Sequence, residues 1–423
     1  MSQNKQSVCV LGLGYMGLPT ASLLANNGFE VTGVDVNQEK VDSINRKEIL
    51  FDEPGLKELV LKAIDSGNFK AQTKVSEADI FVIAVPTPFT EDKKADLTFV
   101  EAATKMIASV LKKGDLVILE STVSPGTCTK LMIPILEENG LKAAEDFLLS
   151  HCPERAIPGN TMYELVYNDR IIGGIDDASC QTTKEIYESF VRGQIYLTDT
   201  TTAETVKLME NTFRDVNIAL ANEFAQIAEE IGIDIWETIE LANKHPRVNI
   251  LKPGPGVGGH CIAIDPWFLT EASTKAVLIK AARNINDAMP SHVIELAKDV
   301  LKDINQPKVT ILGMAYKANV DDARETPATE IINEAKKLGW QVAMTDPYVK
   351  TSEFPDLQDI DTAITDSDCV ILVTNHDQFL EIDPSTVKGK MKTLNLIDTR
   401  NFLDQAKWKN AGFTVKILGN GKV

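Results

Sequence analysis

"VCVLGLGYMGLPTASLLANNGFEVTGVD" runs from Val8 to Asp35. Val8 to Leu13 is apolar and reads as a buried strand. Gly12, Gly14 and Gly17 follow in GxGxxG spacing and open a helix, Leu18 to Asn27, which Gly28 stops. Glu30 to Asp35 reads as a second strand. Glycine spacing alone marks only a turn. The strand before it and the helix after it make it specific for a dinucleotide. The first glycine permits the tight turn, the second lets a pyrophosphate approach the backbone, and the third packs helix against strand. The helix N-terminus supplies amide donors to the phosphates. Asp35, eighteen residues past Gly17, is placed to bind ribose hydroxyls and to repel a 2′-phosphate. The stretch therefore implies NAD rather than NADP. Its candidate cofactor contacts are Gly12, Gly14, Tyr15, Met16, Gly17, Asp35 and Lys40.

Outward from this unit, Ile80 to Val85, Leu116 to Glu120 and Phe147 to Ser150 read as further strands, with helical stretches such as Thr98 to Leu111 between them. Alternating strands and helices predict an α/β, doubly wound parallel sheet. "VPTP" and "STVSPGT" follow two of these strands, where such sheets bind ligands, and make Thr87 and Thr122 candidates to touch the cofactor. Either threonine can equally be a turn or cap residue.

Thr201 to Ile231 contains neither Gly nor Pro. Thr201 and Glu204 have capping-box spacing, and Gly232 suits the stop. One helix of this length would span roughly 45 Å. It would link two domains and offer a dimer interface; two shorter helices with a break are the alternative. The last third repeats the first. Val309 to Met314 mirrors Val8 to Leu13, Gln341 to Asp346 ends in Asp as Glu30 to Asp35 does, and "SDCVILVT" parallels "ADIFVIAV". Gly313 is followed by Met314 and Ala315, so the second copy lacks the full glycine fingerprint. Two Rossmann-like domains flanking a helical middle are expected, over 1–200, 201–303 and 304–423: the first for the dinucleotide, and the last for something other than a second NAD, or for a nucleotide bound in another way.

The 423 residues are 43% hydrophobic and 25% charged, as in ordinary globular proteins. No apolar run approaches the ~20 residues of a transmembrane helix. Met1 to Ser7 is polar, so no signal peptide is expected. A net charge of −18 argues against nucleic acid as a partner. The six cysteines, at 9, 128, 152, 180, 261 and 369, form no CxxC pair, so neither zinc nor a disulfide framework is expected. A reducing cytoplasm fits. Five are read as packing residues.

The sixth ends the loop "KPGPGVGGHCIAIDPWFL", Lys252 to Leu269. Such a loop brings backbone close to a ligand. Cys261 is either a nucleophile there or a small buried residue. "GLGYMGLP", "VPTP", "ESTVSPGT", "CPER" (Cys152 to Arg155), "AETVKLMENTFR" (Ala203 to Arg214), "KPGPGVGGHCIAIDP" and "GMAYKANVDDARETPA" (Gly313 to Ala328) occur in this order over nearly the whole chain. In this the chain resembles the nucleotide-sugar 6-dehydrogenases, the family of UDP-glucose and UDP-N-acetylhexosamine dehydrogenases.

The resemblance implies a four-electron oxidation of a primary alcohol to a carboxylate with two NAD. Cys261 would hold the aldehyde as a thiohemiacetal and then as a thioester that water hydrolyses. Lys207 matches a lysine that stabilises oxyanion charge or moves a proton. Asn211 lies one turn further along that face, and Asp265 resembles a residue that positions water or tunes the lysine. Glu154 resembles a carboxylate that acts as base in hydrolysis. Arg155, Ala156, Lys207, Asn211, Arg214, His245, Arg247, Gly258, Tyr316 and Lys317 match substrate contacts, Arg247 from across a dimer. A buried His245 without a ligand role is the alternative for that residue. Arg324 matches a residue that reaches NAD. His260 before Cys261, with Ile262, Ala263 and Ile264 after it, departs from the UDP-glucose branch and resembles the UDP-N-acetylhexosamine branch, most of all its N-acetylmannosamine members. UDP-N-acetylglucosamine and UDP-glucose are the alternatives. No spacing argument fixes the configuration at the sugar's second carbon.

Overall fold

A computed structural model describes residues 5–49, 53–90, 92–157, 159–259 and 261–422. His260, used above to choose the sugar, lies outside them. The first sheet has eight strands: β1 (Ser7–Leu11), β2 (Glu30–Val34), β3 (Phe69–Gln72), β4 (Ile80–Ile83), β5 (Leu116–Leu119), β6 (Leu148–His151), β7 (Arg170–Gly174) and β8 (Ile195–Asp199). Their order is β3-β2-β1-β4-β5-β6-β7-β8. The order reverses after β1, so the β1 and β4 ends splay into the crevice where doubly wound sheets bind ligands. The pairings are parallel except β6 with β7, an antiparallel join the sequence pattern does not reveal.

Continuous apolar strands are explained by burial on both faces. Val8 and Val10 enter one apolar cluster with Val82 and Ile118. Cys9 and Leu11 enter the other with Phe81, Ile83 and Leu119. Each Val or Leu side chain so buried contributes about 1.5–3 kcal/mol. The second sheet consists of β9 (Lys308–Leu312), β10 (Gln341–Thr345), β11 (Cys369–Leu372), β12 (Asn395–Asp398) and β13 (Thr414–Ile417), in the order β10-β9-β11-β12-β13, all parallel. Val309 and Ile311 pack with Met289, Val293 and Ala297 of the helix Val277–Leu301.

The chain packs as two units. One is Met1–Glu210 with Trp267–Thr274, and the other is Asn211–Pro266 with Lys275–Val423. A single helix, Thr200–Ile231, runs from the first into the second, so the broken-helix alternative is not what forms. Its start differs from the capping box expected at Thr201 and Glu204. β8 passes straight into the helix, and the Asp199 carboxylate accepts the Thr202 N–H at 2.9 Å and the Thr202 hydroxyl at 2.6 Å. Glu204 is fully buried and serves another segment, accepting the N–H groups of Gly126 and Cys128 at 2.5 and 2.8 Å. Among the described residues no helix is long and apolar enough to cross a membrane.

The hydroxyl and amide of Thr202 hold the Asp199 carboxyl below its usual range. The cap is complete above the unfolded-state pKa and is lost as pH falls through the lower folded value. Asp199→Ala should cost about 1 kcal/mol in urea unfolding at neutral pH, a difference that shrinks in acid.

Candidate active site

At the C-terminal end of β1, Gly12 turns the chain at φ +96°. A side chain there would meet the Ala84 carbonyl at 2.4 Å, and one at Gly17 would meet the Gly12 carbonyl at 1.8 Å. A Cβ at Gly14 would meet nothing within 4 Å, so this side of the turn is open. The helix Gly17–Asn26 begins without a side-chain cap. Leu18 N–H is accepted by the Gly14 carbonyl at 3.2 Å and Pro19 has no N–H, so Gly17 is the amide of this first turn left to face an anion. The Asp35 carboxylate accepts the Leu13 N–H at 3.0 Å and the Asn37 N–H at 3.0 Å, and lies 2.8 Å from Lys40 Nζ. Burial would raise its pKa, but Lys40 and these amides outweigh that and keep it ionised. Open glycine, uncapped helix and anionic strand end together fit a dinucleotide. Tyr15 is exposed, Met16 partly so, and Thr87 is buried. The Ser121 hydroxyl donates to the Val85 carbonyl at 2.7 Å, which joins the loops that carry Thr122 and Thr87.

"CPER" leaves β6 into a buried ionic cluster. Glu154 Oε1 accepts the N–H groups of Arg155 and Ala156 at 2.6 and 2.7 Å, and its Oε2 lies 2.8 Å from Arg170 Nη2. Arg170 is buried, with its guanidinium 4.9 Å from the centre of the Tyr187 ring, and the Tyr187 hydroxyl reaches Glu120 at 2.5 Å. Burial pushes the Glu120 carboxyl up to about 7. Glu154 is thus tied to a cation in this arrangement. Arg155 pairs with Glu210 at 2.6 Å.

In the long helix, Lys207 is only 8% exposed, and no hydrogen bond or ion pair links it to another described residue. Asn211, one turn on, donates to Asp265 Oδ2 at 2.6 Å. Arg214 is exposed. The Gly-rich loop delivers Cys261 beside Asp265, whose N–H donates to the Cys261 carbonyl at 2.9 Å as the helix Asp265–Ala272 begins. Cys261 is exposed, whereas the other five cysteines are buried. Burial pushes the Cys9 thiol up to about 11 and that of Cys152 to about 12, so neither is a nucleophile at neutral pH.

The loop's glycines are contact surfaces. A Cβ at Gly258 would lie 2.8 Å from that of Tyr316, and Gly259, at φ +83°, would strike the Tyr316 ring at 2.9 Å. Gly259 N–H donates to the Arg324 carbonyl at 3.0 Å. The Arg324 guanidinium is engaged by Asp322, at 2.9 and 2.6 Å. Lys317 is exposed. His245 and Arg247 are exposed too, so the buried alternative for His245 does not hold.

Two neighbours escaped the sequence reading. Asn222 accepts the Gly254 N–H at 2.9 Å and donates to Asn286 at 2.9 Å, which fastens the loop to two helices. Arg400 follows β12, with Nη1 2.4 Å from where a Gly254 Cβ would stand. Burial pulls its pKa down to about 10, and Asp398 partly offsets that. The Asp398 carboxylate is itself occupied by the amides of Arg400, Phe402 and Leu403. The signal for Arg400 is its place at a strand end, but the pattern around β12 does not mark a strand.

Three family models match in sequence order: the NAD binding domain of the UDP-glucose/GDP-mannose dehydrogenase family over residues 6–191, its central domain over 201–288, and its UDP binding domain over 310–405. A UDP-N-acetyl-D-mannosamine dehydrogenase of Methanocaldococcus jannaschii is 50% identical, over 98% of this chain and 97% of its own. An NDP-N-acetyl-D-galactosaminuronic acid dehydrogenase of Ralstonia solanacearum is 46% identical over 93% and 96%. The solved UDP-D-ManNAc dehydrogenase of Pyrococcus horikoshii superposes with TM-score 0.92 at 39% identity, covering 99% of this chain and 100% of that one. With the open glycine turn, the exposed cysteine and both sheets accounted for, the chain belongs to the UDP-glucose/GDP-mannose dehydrogenase family and is an NAD-dependent dehydrogenase.

Proposed function

We propose that the protein oxidises the 6-hydroxymethyl group of UDP-N-acetyl-D-mannosamine to the carboxylate. The observation that carries the chemistry is the exposed Cys261, one helical turn before an Asp265 that is hydrogen-bonded to Asn211. The names of the relatives at about half identity support the sugar. In balance, the alcohol, one water and two NAD+ give the carboxylate, two NADH and three protons. When bound, NAD accepts a hydride from the sugar carbon in each oxidation. Gly12, Gly14, Gly17 and Asp35 would hold it, with Tyr15, Met16, Lys40, Thr87, Thr122 and Arg324 as further contacts.

Lys207 is the group for the sugar's developing oxyanion. Its ammonium meets no carboxylate among the described residues, so its charge is available to the reacting oxygen. The Cys261 sulfur adds to the aldehyde carbon and the thiol proton ends on the former carbonyl oxygen, giving a thiohemiacetal. The second oxidation leaves a thioester. Water attacks the thioester carbon, the C–S bond breaks, and the thiol is regenerated. Asn211 fixes Asp265 for the water or the lysine. Glu154 serves hydrolysis through the loop it shapes, or as base when Arg170 releases it. Arg155, Ala156, Arg214, His245, Gly258, Tyr316 and Lys317 form the substrate set. Arg400, with guanidinium donors facing the Gly-rich loop, joins them as a partner for the diphosphate. Two oxidations at one carbon require the pocket around Gly12 to exchange its dinucleotide while Cys261 holds the sugar.

We read the chain as working in three stretches, 1–200, 201–303 and 304–423, and as a homodimer in the cytoplasm, where a thiol nucleophile stays reduced. The dimer reading rests on the long helix. Met209, Phe213, Leu220 and Ile227 lie exposed at helical spacing, Phe213 by 72%. Arg247, also exposed, is the candidate to act across that interface.

Across a panel of UDP-sugars, UDP-N-acetylmannosamine should be turned over fastest, with two NADH per uronate. One NADH with free aldehyde would refute the four-electron reading. Cys261→Ser should form no uronate. Lys207→Ala should lower kcat by about 10²–10⁴-fold with folding intact, as measured at saturating substrate. Phe213→Glu should shift the light-scattering mass from two chains to one; an unchanged mass would remove this face from the interface.

A further inference from the structure

The second sheet holds a buried pair that the chemistry above does not use. Asp346 follows β10 and His376 follows β11, on either side of β9. Both side chains are fully enclosed, with His376 Nε2 3.0 Å from Asp346 Oδ2. The carboxylate also accepts four backbone N–H groups, from Met314 and Ala315 at 2.6 and 3.0 Å and from Tyr348 and Val349 at 2.8 and 2.9 Å. On the other side of the ring, His376 Nδ1 accepts the Asn319 N–H at 2.9 Å. A ring nitrogen that accepts carries no proton, so the imidazole is neutral with its proton on Nε2, donated to Asp346.

Asn319 stands at φ +61°, a conformation Asn tolerates. Its side chain donates to Asp377 Oδ2 at 2.8 Å and accepts the Asp377 N–H at 3.0 Å. Four residues earlier, the Ala315 carbonyl accepts the Thr374 hydroxyl at 2.5 Å. The turn from Ala315 to Asn319 is therefore pinned at both ends by the segment from Thr374 to Asp377. Tyr316 and Lys317 lie between the pins.

We propose that His376 is a positioning residue for the nucleotide sugar. In its neutral Nε2–H form it fixes the turn that presents Tyr316 and Lys317, a role that rests on reading those two as substrate contacts. Removing the acceptor at Nδ1 leaves the Asn319 N–H facing no partner there. The bond is lost, the turn loosens, and affinity for the sugar nucleotide falls. Tyr348 also packs on the ring, its centre 5.0 Å away. Phe379 closes the apolar side at 5.5 Å, and Asp377 reaches the pair through Asn319.

The test measures kcat and KM for UDP-N-acetylmannosamine and KM for NAD at neutral pH. It compares the wild type with His376→Asn, whose amide oxygen can replace Nδ1, and with His376→Leu, which has no acceptor. His376→Leu should raise the sugar-nucleotide KM about tenfold and leave the NAD KM unchanged. His376→Asn should keep the wild-type KM. A wild-type KM in His376→Leu, or a KM in His376→Asn as high as that of His376→Leu, overturns the proposal. Should His376→Leu lose its far-UV circular dichroism, the KM of His376→Asn against the wild type decides. Calorimetry with UDP alone separates the premises. No binding to wild type defeats the substrate reading, whereas equal binding to wild type and His376→Leu defeats the positioning role.

Discussion

In both sheets a carboxylate at the end of the second strand closes the turn that follows the first. Asp35 accepts the Leu13 N–H, and Asp346 accepts those of Met314 and Ala315. The glycine before each turn donates to the second strand, Gly12 to Val34 at 2.8 Å and Gly313 to Thr345 at 2.9 Å. Gly12 and Gly313 have φ values of +96° and +93°. A side chain would strike the next strand's end in either case, Ala84 at 2.4 Å or Thr374 at 2.5 Å. The turn is thus clamped between two strands. Where ligand-binding groups emerge at either sheet's C-terminal edge depends on that clamp.

The two copies then diverge in what they leave available. After Gly12 the chain enters a helix within five residues, with no side-chain cap and with Gly14 facing open space. After Gly313 it wanders through a turn, and the helix Pro327–Lys337 begins later, capped by the Thr326 side chain. There the amides of Met314, Ala315 and Asn319 are already accepted by Asp346 and His376. The first edge can therefore hold phosphates by backbone, as a helix N-terminus does. On the proposed reading the second recognises its anion with side chains, Lys317 and Arg400 among them.

Local signals were legible. The motif around Gly12, the apolar runs that became β1, β4, β5, β9 and β11, and the long helix all follow from patterns within one continuous stretch of chain. β8 was not, because Tyr196, Leu197 and Asp199 are exposed and give no buried alternation. Glu204 looked like a local cap because its spacing from Thr201 allows one. The backbone donors at Gly126 and Cys128, far away in sequence, compete for the same carboxylate and take it. The Arg170 contact to Glu154 and the His376 contact to Asp346 depend on strand order, which spacing along the chain does not encode. Arg400 is invisible for the same reason: its neighbour Gly254 is nearly 150 residues earlier.

Membership of the two packed units gives these contacts a consequence. Cys261, Asp265, Asn211, Tyr316 and Arg400 belong to one unit, and Gly12, Gly14, Gly17 and Asp35 to the other. On the proposed mechanism the sugar must stay while one dinucleotide leaves and another arrives. The covalent anchor is fastened to one unit through Asn222, Asn286 and the Gly-rich loop. Lys207, Arg155 and Ala156, proposed to meet the same substrate, belong to the unit that carries the dinucleotide's turn and carboxylate. On this reading the Cys261 bond and the contacts of its own unit are what can retain the sugar while the dinucleotide changes.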